Sequence, residues 1–194
     1  MQSDMLFEAV EFATLAHKGQ FRKGSKVPYI LHPLGVAKIL IDKNCAQPLI
    51  IAGILHDTVE DTPVTLAGIE AEFGEVVARL VAGVTEPEKS YSWEYRKNHM
   101  LTELERAPID VLAVSCADKI DNLHSLSQDY EKHGEAVWEK FSRPRESQKW
   151  YHESLMRIFE KRLSDTPYTP LFNEVQQLVQ QVFTADMDAA VFKP

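Results

Sequence analysis

Within Leu55-His56-Asp57-Thr58-Val59-Glu60-Asp61-Thr62, an adjacent His-Asp pair is followed one helical turn later by an adjacent Glu-Asp pair. If the stretch is helical, His56 sits over Glu60 and Asp57 over Asp61, because residues four apart share a face. The apolar lead-in from Leu49 to Leu55 reads as a buried helix, so these groups are delivered from the core side. Burying them without a counter-charge is costly, and a bound metal cation is the simplest compensation. Two more ligand types stand at unusual positions: His32, just before an expected helix start, and Asp118, at the end of the apolar run Val111–Ala117. Asn122 lies one turn beyond Asp118 and shares its face, so it can address a ligand bound beside the metal. Singly, each residue has an ordinary reading as a hydrogen-bonded core histidine, a helix-capping aspartate or a solvated acidic turn. As a set, two histidines and two aspartates offer a mixed nitrogen and oxygen shell with room for water. That shell suits manganese, iron or zinc in a catalytic site, whereas calcium wants more oxygens and structural zinc wants thiolates.

The elements that must position these residues read as all-α. Apolar residues recur at helical spacing, as in Met5, Leu6, Ala9, Val10, Phe12, Ala13 and Ala16, and no persuasive period-two strand is found. The pattern predicts about ten helices, near 4–18, 33–43, 47–57, 65–73, 75–84, 92–106, 109–128, 134–140, 144–163 and 170–184. Pro33 and Pro170 suit first helical positions, Thr65 and Thr169 suit N-caps, and Gly74 suits a helix end. Between the first two helices, Gly19 to Leu31 reads as a polar loop with three basic residues, Arg22, Lys23 and Lys26. One domain over 1–184 is expected, with the metal-site core at about 1–130, a helical extension over 131–184, and a weakly tethered tail at 185–194.

Composition narrows the setting. The chain has 194 residues, 44% hydrophobic and 26% charged, and no apolar run long enough to span a bilayer, so a soluble protein without membrane contact is expected. Its start lacks the pattern of a secretory signal, which points to the cytoplasm. Cys45 and Cys116 have no CxxC partner and read as small buried residues. A formal charge of −8 argues against a nucleic-acid partner. A homodimer is left as an open alternative to a monomer.

Four ordered motifs carry a resemblance: Ala16-His17-Lys18-Gly19-Gln20-Phe21-Arg22-Lys23, Pro28-Tyr29-Ile30-Leu31-His32-Pro33, Leu55 to Thr62, and Ala117-Asp118-Lys119-Ile120-Asp121-Asn122-Leu123. Over roughly the first two thirds of the chain they resemble the HD-domain phosphohydrolases, in particular the hydrolase half of RelA/SpoT enzymes and the stand-alone small alarmone hydrolases. The resemblance implies a compact multi-helix HD-domain bundle in which His32, His56, Asp57 and Asp118 bind one Mn²⁺, with Fe²⁺ or Zn²⁺ as alternatives. It further implies that Glu60 and Asp61 position or deprotonate the attacking water, a division the residues support, since carboxylates one turn from the ligands can hold the water that a cation acidifies. His17 is read as a structural brace of the loop or the metal site. The activity implied is removal of the 3′-pyrophosphate of guanosine tetra- or pentaphosphate, giving guanosine di- or triphosphate and pyrophosphate. Two alternatives are an HD-domain phosphohydrolase for another nucleotide, such as a nucleoside monophosphate or phosphorylated dinucleotide, and a non-catalytic metal-stabilised nucleotide sensor.

A polyphosphate substrate requires local positive charge in this acidic chain. Arg22 and Lys23, between two of the metal-site motifs, are the first candidates, with Arg22 able to fork onto phosphate or stack on a base and Lys23 acting as a point charge. Arg96, Lys97 and Arg143 are secondary candidates, and Asn122 would help hold the nucleotide against the metal face. The pattern departs from the family late in the chain, where Ser147 stands at a position that is aromatic in animal stand-alone hydrolases.

Overall fold

Alternation between apolar helical stripes and Gly, Pro or Thr punctuation is translated directly into packed helices in the computed structural model, which describes residues 2–183. In chain order these are α1 (Gln2–Ala16), α2 (Leu31–Asp42), α3 (Gln47–Leu55), α4 (Thr58–Asp61), α5 (Leu66–Val84), α6 (Trp93–Arg106), α7 (Ile109–His133), a 3-10 helix (Gly134–Lys140), α8 (Arg145–Leu163) and α9 (Thr169–Phe183). Among the described residues there is no strand, only an isolated antiparallel bridge between Phe21 and Pro28 inside the basic loop. The tail expected at 185–194 lies outside the described residues.

The core is organised around α3 and α7. Ile51, Ala52, Ile54 and Leu55 of α3 are buried, and the helix packs against α1, α2, α5 and α7. At Gly53 a Cβ would come within 2.7 Å of Leu40 Cδ1, so this glycine permits the close approach of α2 and α3. On α7, Leu112, Ala113, Val114, Cys116, Ile120 and Leu123 are fully buried, and the helix touches α2, α3, α5, α8, α9 and the 3-10 helix. Because α9 and α8 pack on α7 and on each other, the helical extension closes over the same core.

Three boundaries differ from the sequence pattern, and one, the third below, falls where it predicts. First, α2 starts two residues early, which brings His32 into its first turn and puts Pro33 at its third residue; a first-turn N–H has no intrahelical acceptor, so proline costs nothing there. Second, the helix expected over 47–57 stops at Leu55. His56 Nδ1 donates to Gly53 O at 2.8 Å and Thr58 Oγ1 donates to Leu55 O at 2.7 Å, so side chains take carbonyls that the next turn would have used. The His-Asp pair therefore occupies a turn between α3 and α4, both residues still in the right-handed helical region, and Asp57 O accepts from Asp61 N at 2.9 Å, so the expected register of Asp57 with Asp61 is kept across the break. Third, Gly74 has φ +85° and breaks α5 into two segments, at the stop that its position predicts. Fourth, α7 runs on to His133 and ends at Gly134, with φ +57°.

Candidate metal centre and substrate cleft

Three elements converge on one buried cluster. His32 comes from the first turn of α2, His56 and Asp57 from the bend after α3, and Asp118 from the middle of α7. His32 Nε2 lies 3.1 Å from Asp118 Oδ1 and 3.5 Å from Asp57 Oδ2, while His56 Nε2 lies 3.0 Å from Asp57 Oδ2 and 3.7 Å from Asp118 Oδ1. One ligand atom each from His32, His56 and Asp118 fit within 4.8 Å of one another, and Asp57 lines the same spot through its contacts with both imidazoles.

The chemistry of the donor set fits a divalent cation. His32 Nδ1 donates to Asp121 Oδ2 at 2.6 Å and His56 Nδ1 donates to Gly53 O, so in each neutral imidazole Nε2 carries the free lone pair, and both lone pairs face the carboxylates. In the neutral ring the buried His56 Nε2 is an acceptor that faces only carboxylate oxygens, a mismatch that a metal between them would satisfy. Burial disfavours protonation of both histidines, yet the neighbouring carboxylates, chiefly Asp57 for His56 and Asp118 for His32, outweigh it and raise both above the ordinary histidine range. Asp57 and Asp118 are held below the ordinary carboxylate range for the converse reason: burial pushes each up, but the histidines, and Lys119 for Asp118, more than reverse it. Carboxylates that attract a proton onto these imidazoles would equally attract a cation between them.

Several supporting groups were not assigned roles from the sequence. Tyr29 donates its hydroxyl to Asp57 Oδ2 at 2.6 Å, and Asp121 orients His32. Lys119 Nζ pairs with Asp118 Oδ2 at 2.6 Å. A signal for Asp121 was present, since it lies one turn beyond Asp118 on α7 and so shares its face. Gly35 is another: a Cβ there would collide with Asp121 Oδ1, so glycine leaves room for the residue that orients His32. His17 donates from Nδ1 to Gln20 Oε1 at 2.8 Å, and Gln20 Nε2 donates to Asp61 O at 2.8 Å, so His17 braces the carbonyl end of α4 from outside the cluster.

Glu60 and Asp61 follow the bend on the four-residue α4. Glu60 Oε2 accepts from the backbone N–H of Glu86 at 3.4 Å, and Asp61 pairs with Lys89. Burial first, then the negative charges of Glu86, Asp57 and Asp61, push Glu60 up from 4.5 to about 7. A carboxylate poised near neutrality is suited to take a proton and release it again.

Beside the cluster lies a cleft of about 600 Å³ whose lining includes His32, Asp121 and Asn122, together with Arg22, Lys23, Arg96, Lys97 and Lys119. Five of the six expected substrate contacts are thus brought to one cavity that opens at the metal ligands. Arg22 Nη2 donates to Asn122 Oδ1 at 3.0 Å, and Asn122 Nδ2 donates to Asp118 Oδ1 at 2.6 Å, which joins the basic loop to the metal cluster. Arg143 is not brought there. Its guanidinium forks onto Glu94, with Nε 2.5 Å from Oε1 and Nη2 3.1 Å from Oε2. Ser147 does not line the cleft either; Tyr151, one turn further along α8, does, and Lys97 Nζ lies 4.7 Å from its ring centroid.

Comparison with known proteins agrees with this geometry. A family model described as HD domain matches residues 9–146. The chain belongs to the HD-domain family. Membership implies a divalent metal site, in keeping with the cluster of His32, His56 and Asp118. This HD-domain chain is similar to mouse guanosine-3′,5′-bis(diphosphate) 3′-pyrophosphohydrolase MESH1, at 38% identity over 130 residues, 66% of this chain and 72% of the relative. It is 42% identical over 120 residues to the enzyme of the same catalytic name from Aquifex aeolicus, covering 61% of this chain but 17% of that longer protein. Two solved structures are similar at a TM-score of 0.74. One is lmo0812 from Listeria monocytogenes, at 40% identity, covering 79% of this chain and 99% of that one. The other is a metazoan ortholog of SpoT that hydrolyzes ppGpp, at 26% identity, covering 91% of this chain and 94% of that one. Among the described residues no helix is long and apolar enough to cross a membrane.

Proposed function

We propose that this HD-domain protein is a Mn²⁺-dependent hydrolase that removes the 3′-pyrophosphate of guanosine tetra- or pentaphosphate, yielding guanosine di- or triphosphate and pyrophosphate. The observation that carries the reading is a largely buried two-histidine, two-aspartate cluster, followed in the chain by a carboxylate pair, that reaches through His32 a cleft walled by cations. The names of the mouse and Aquifex relatives supply the substrate class. His32, His56, Asp57 and Asp118 would hold the ion. When bound, a divalent cation supplies Lewis-acid polarisation of the phosphoryl group and acidifies water.

The remaining work falls to the chain. Glu60, held near neutrality by burial, accepts the proton of the attacking water, and Asp61, fixed by Lys89 and Gln20, orients that water. A new P–O bond forms from water to the phosphorus attached at the 3′ oxygen, the bond from that phosphorus to the 3′ oxygen breaks, and the 3′ oxygen takes up a proton. Arg22, Lys23, Arg96 and Lys97 neutralise the phosphates along the cleft, and Asn122 fixes the nucleotide beside Asp118. The cytoplasm is the setting we infer, which two cysteines without a disulfide fit.

The test is incubation of purified protein, loaded with Mn²⁺, with guanosine tetraphosphate. Guanosine diphosphate and pyrophosphate in equal amounts are expected. Orthophosphate as the product, or no turnover by fully metallated protein, would overturn the assignment.

A further inference from the structure

The segment between α5 and α6 was assigned no role from the sequence, yet one of its residues holds two cations of the cleft wall by its side chain and Glu60 by its backbone. Glu86 is a largely buried carboxylate, its side chain 10% exposed. Its Oε2 accepts from Arg96 Nη1 at 2.7 Å and its Oε1 accepts from Lys97 Nζ, so one anion gathers two neighbouring cations of α6 that line the cleft. Its backbone N–H donates to Glu60. The Arg96 Nε is buried and has no hydrogen-bond partner, so the guanidinium that Glu86 anchors still presents a donor that needs an acceptor. We propose that Glu86 is a positioning residue for the phosphate groups of the substrate: it fixes Arg96 and Lys97 along one wall of the cleft and ties that wall to Glu60. The proposal rests on the polyphosphate reading above.

The charges around Lys97 explain why a carboxylate is needed there. Its ammonium shares the ring of Tyr151 with Lys119, at 4.7 Å and 5.9 Å from the centroid respectively, so two like charges are gathered on one aromatic. Burial pulls Lys97 below its ordinary range, and Lys119 pulls it further, while Glu86 and Glu60 oppose the change. The groups facing it are Glu86 from the α5–α6 segment, Glu60 from α4, Lys119 from α7, Tyr151 and His152 from α8 and Arg96 on its own helix. Without Glu86, Lys97 loses its one hydrogen-bonded anion and gives up its proton more readily as pH rises. A phosphate would then meet a neutral amine in place of an ammonium.

Glu86→Gln and Glu86→Asp in the full-length, Mn²⁺-loaded protein test this by two readouts between pH 6 and 9: the Kd for inorganic pyrophosphate by calorimetry, and kcat and KM for guanosine tetraphosphate. For Glu86→Gln, loss of charge-assisted anchoring should raise Kd and KM about tenfold at pH 7. The penalty should widen toward pH 9, and Glu86→Asp should recover most of it. Adding Lys97→Met should abolish the pH-dependent part of the Glu86→Gln effect. Unchanged or tighter pyrophosphate binding in Glu86→Gln would overturn the proposal, because the carboxylate would then only be masking the wall. An equal, pH-independent loss in the Gln and Asp variants would also overturn it, showing a merely structural role. If the wild-type protein binds pyrophosphate but does not turn over guanosine tetraphosphate, the substrate assignment fails and the binding arm still decides the role of Glu86.

Discussion

Replacing Glu60 by glutamine should make the protein more stable and less active at the same time. Burial and three nearby carboxylates raise Glu60 from 4.5 to about 7, so the folded protein holds this proton more tightly than the unfolded chain does. The sign follows from linkage: the stability contributed by protonated Glu60 is fully present below pH 4.5 and is lost as pH rises through about 7. At 1.36 kcal/mol per tenfold change in proton affinity, the charged carboxylate costs the folded state about 3 kcal/mol above neutrality. Glutamine removes the charge and keeps an oxygen for the Glu86 N–H, so up to that amount is regained at pH 8. For a chain of this size the gain corresponds to a rise in Tm of roughly 6–12 °C. The comparison is best made with chelator-treated protein, because a bound cation would itself stabilise the Glu60 anion and shrink the difference. Scanning calorimetry at pH 8 and pH 5.5 gives the stability arm, with the gap between variant and wild type narrowing at the lower pH. The kinetic arm is kcat with Mn²⁺, expected to fall roughly 100- to 10,000-fold on loss of a general base. A variant that is inactive but no more stable at pH 8 would refute the claim that Glu60 is held ionised against its surroundings. A variant that is more stable and fully active would refute its role as the base.

Asp121→Asn should weaken metal binding about 10- to 100-fold by loosening His32, and Gly35→Ala should produce the same phenotype because its Cβ would displace Asp121; competitive metal titration checks both. Arg22→Ala should raise KM about 10- to 100-fold through loss of a charge-assisted phosphate contact, while Arg143→Ala, whose guanidinium is spent on Glu94 outside the cleft, should leave KM unchanged in the same steady-state assay. Mn²⁺ at about a thousandfold above its Kd should stabilise the protein by about 4 kcal/mol, and EDTA should reverse this in urea titrations. Leu112→Ala, in the fully buried centre of α7, should cost about 2–5 kcal/mol in the same titrations without altering metal stoichiometry.

The helical architecture was legible because apolar spacing and punctuation agree along most of the chain. Gly74 marks the break in α5, and Thr65 caps the same helix by accepting from Gly68 N at 3.2 Å. The metal cluster was legible for a different reason: polar residues embedded in apolar stretches, such as Asp118, require partners. What escaped was set by side-chain competition and by tertiary approach. The bend after Leu55 depends on His56 and Thr58 hydrogen-bonding back to carbonyls, whereas propensity alone continues the helix. The placement of Arg143 depends on Glu94, 49 residues away, and that pairing has no local signature. Tyr29 lay inside a quoted motif, but its hydrogen bond to Asp57 appears only once the α1–α2 loop meets the turn after α3; Lys119 pairs with its own neighbour Asp118, a contact set by side-chain rotamers. Glu86 reads from sequence as a loop acid; its grip on two cations exists only in three dimensions.

One helix, α7, carries the buried core on one side and Asp118, Asp121, Asn122 and the cleft on the other. Any fluctuation that unwound α7 to expose the metal cluster would therefore dismantle the packing of α2, α3, α5, α8 and α9 as well. Its central amides should exchange with solvent deuterium only when the whole molecule unfolds, and so report the global free energy. Access to the cleft lies at the periphery, where the basic loop between α1 and α2 and the 3-10 helix, through Lys140, line its rim. Asp118 is thus held as persistently as the fold, and adaptation to a different nucleotide can proceed at the rim without loosening that anchor.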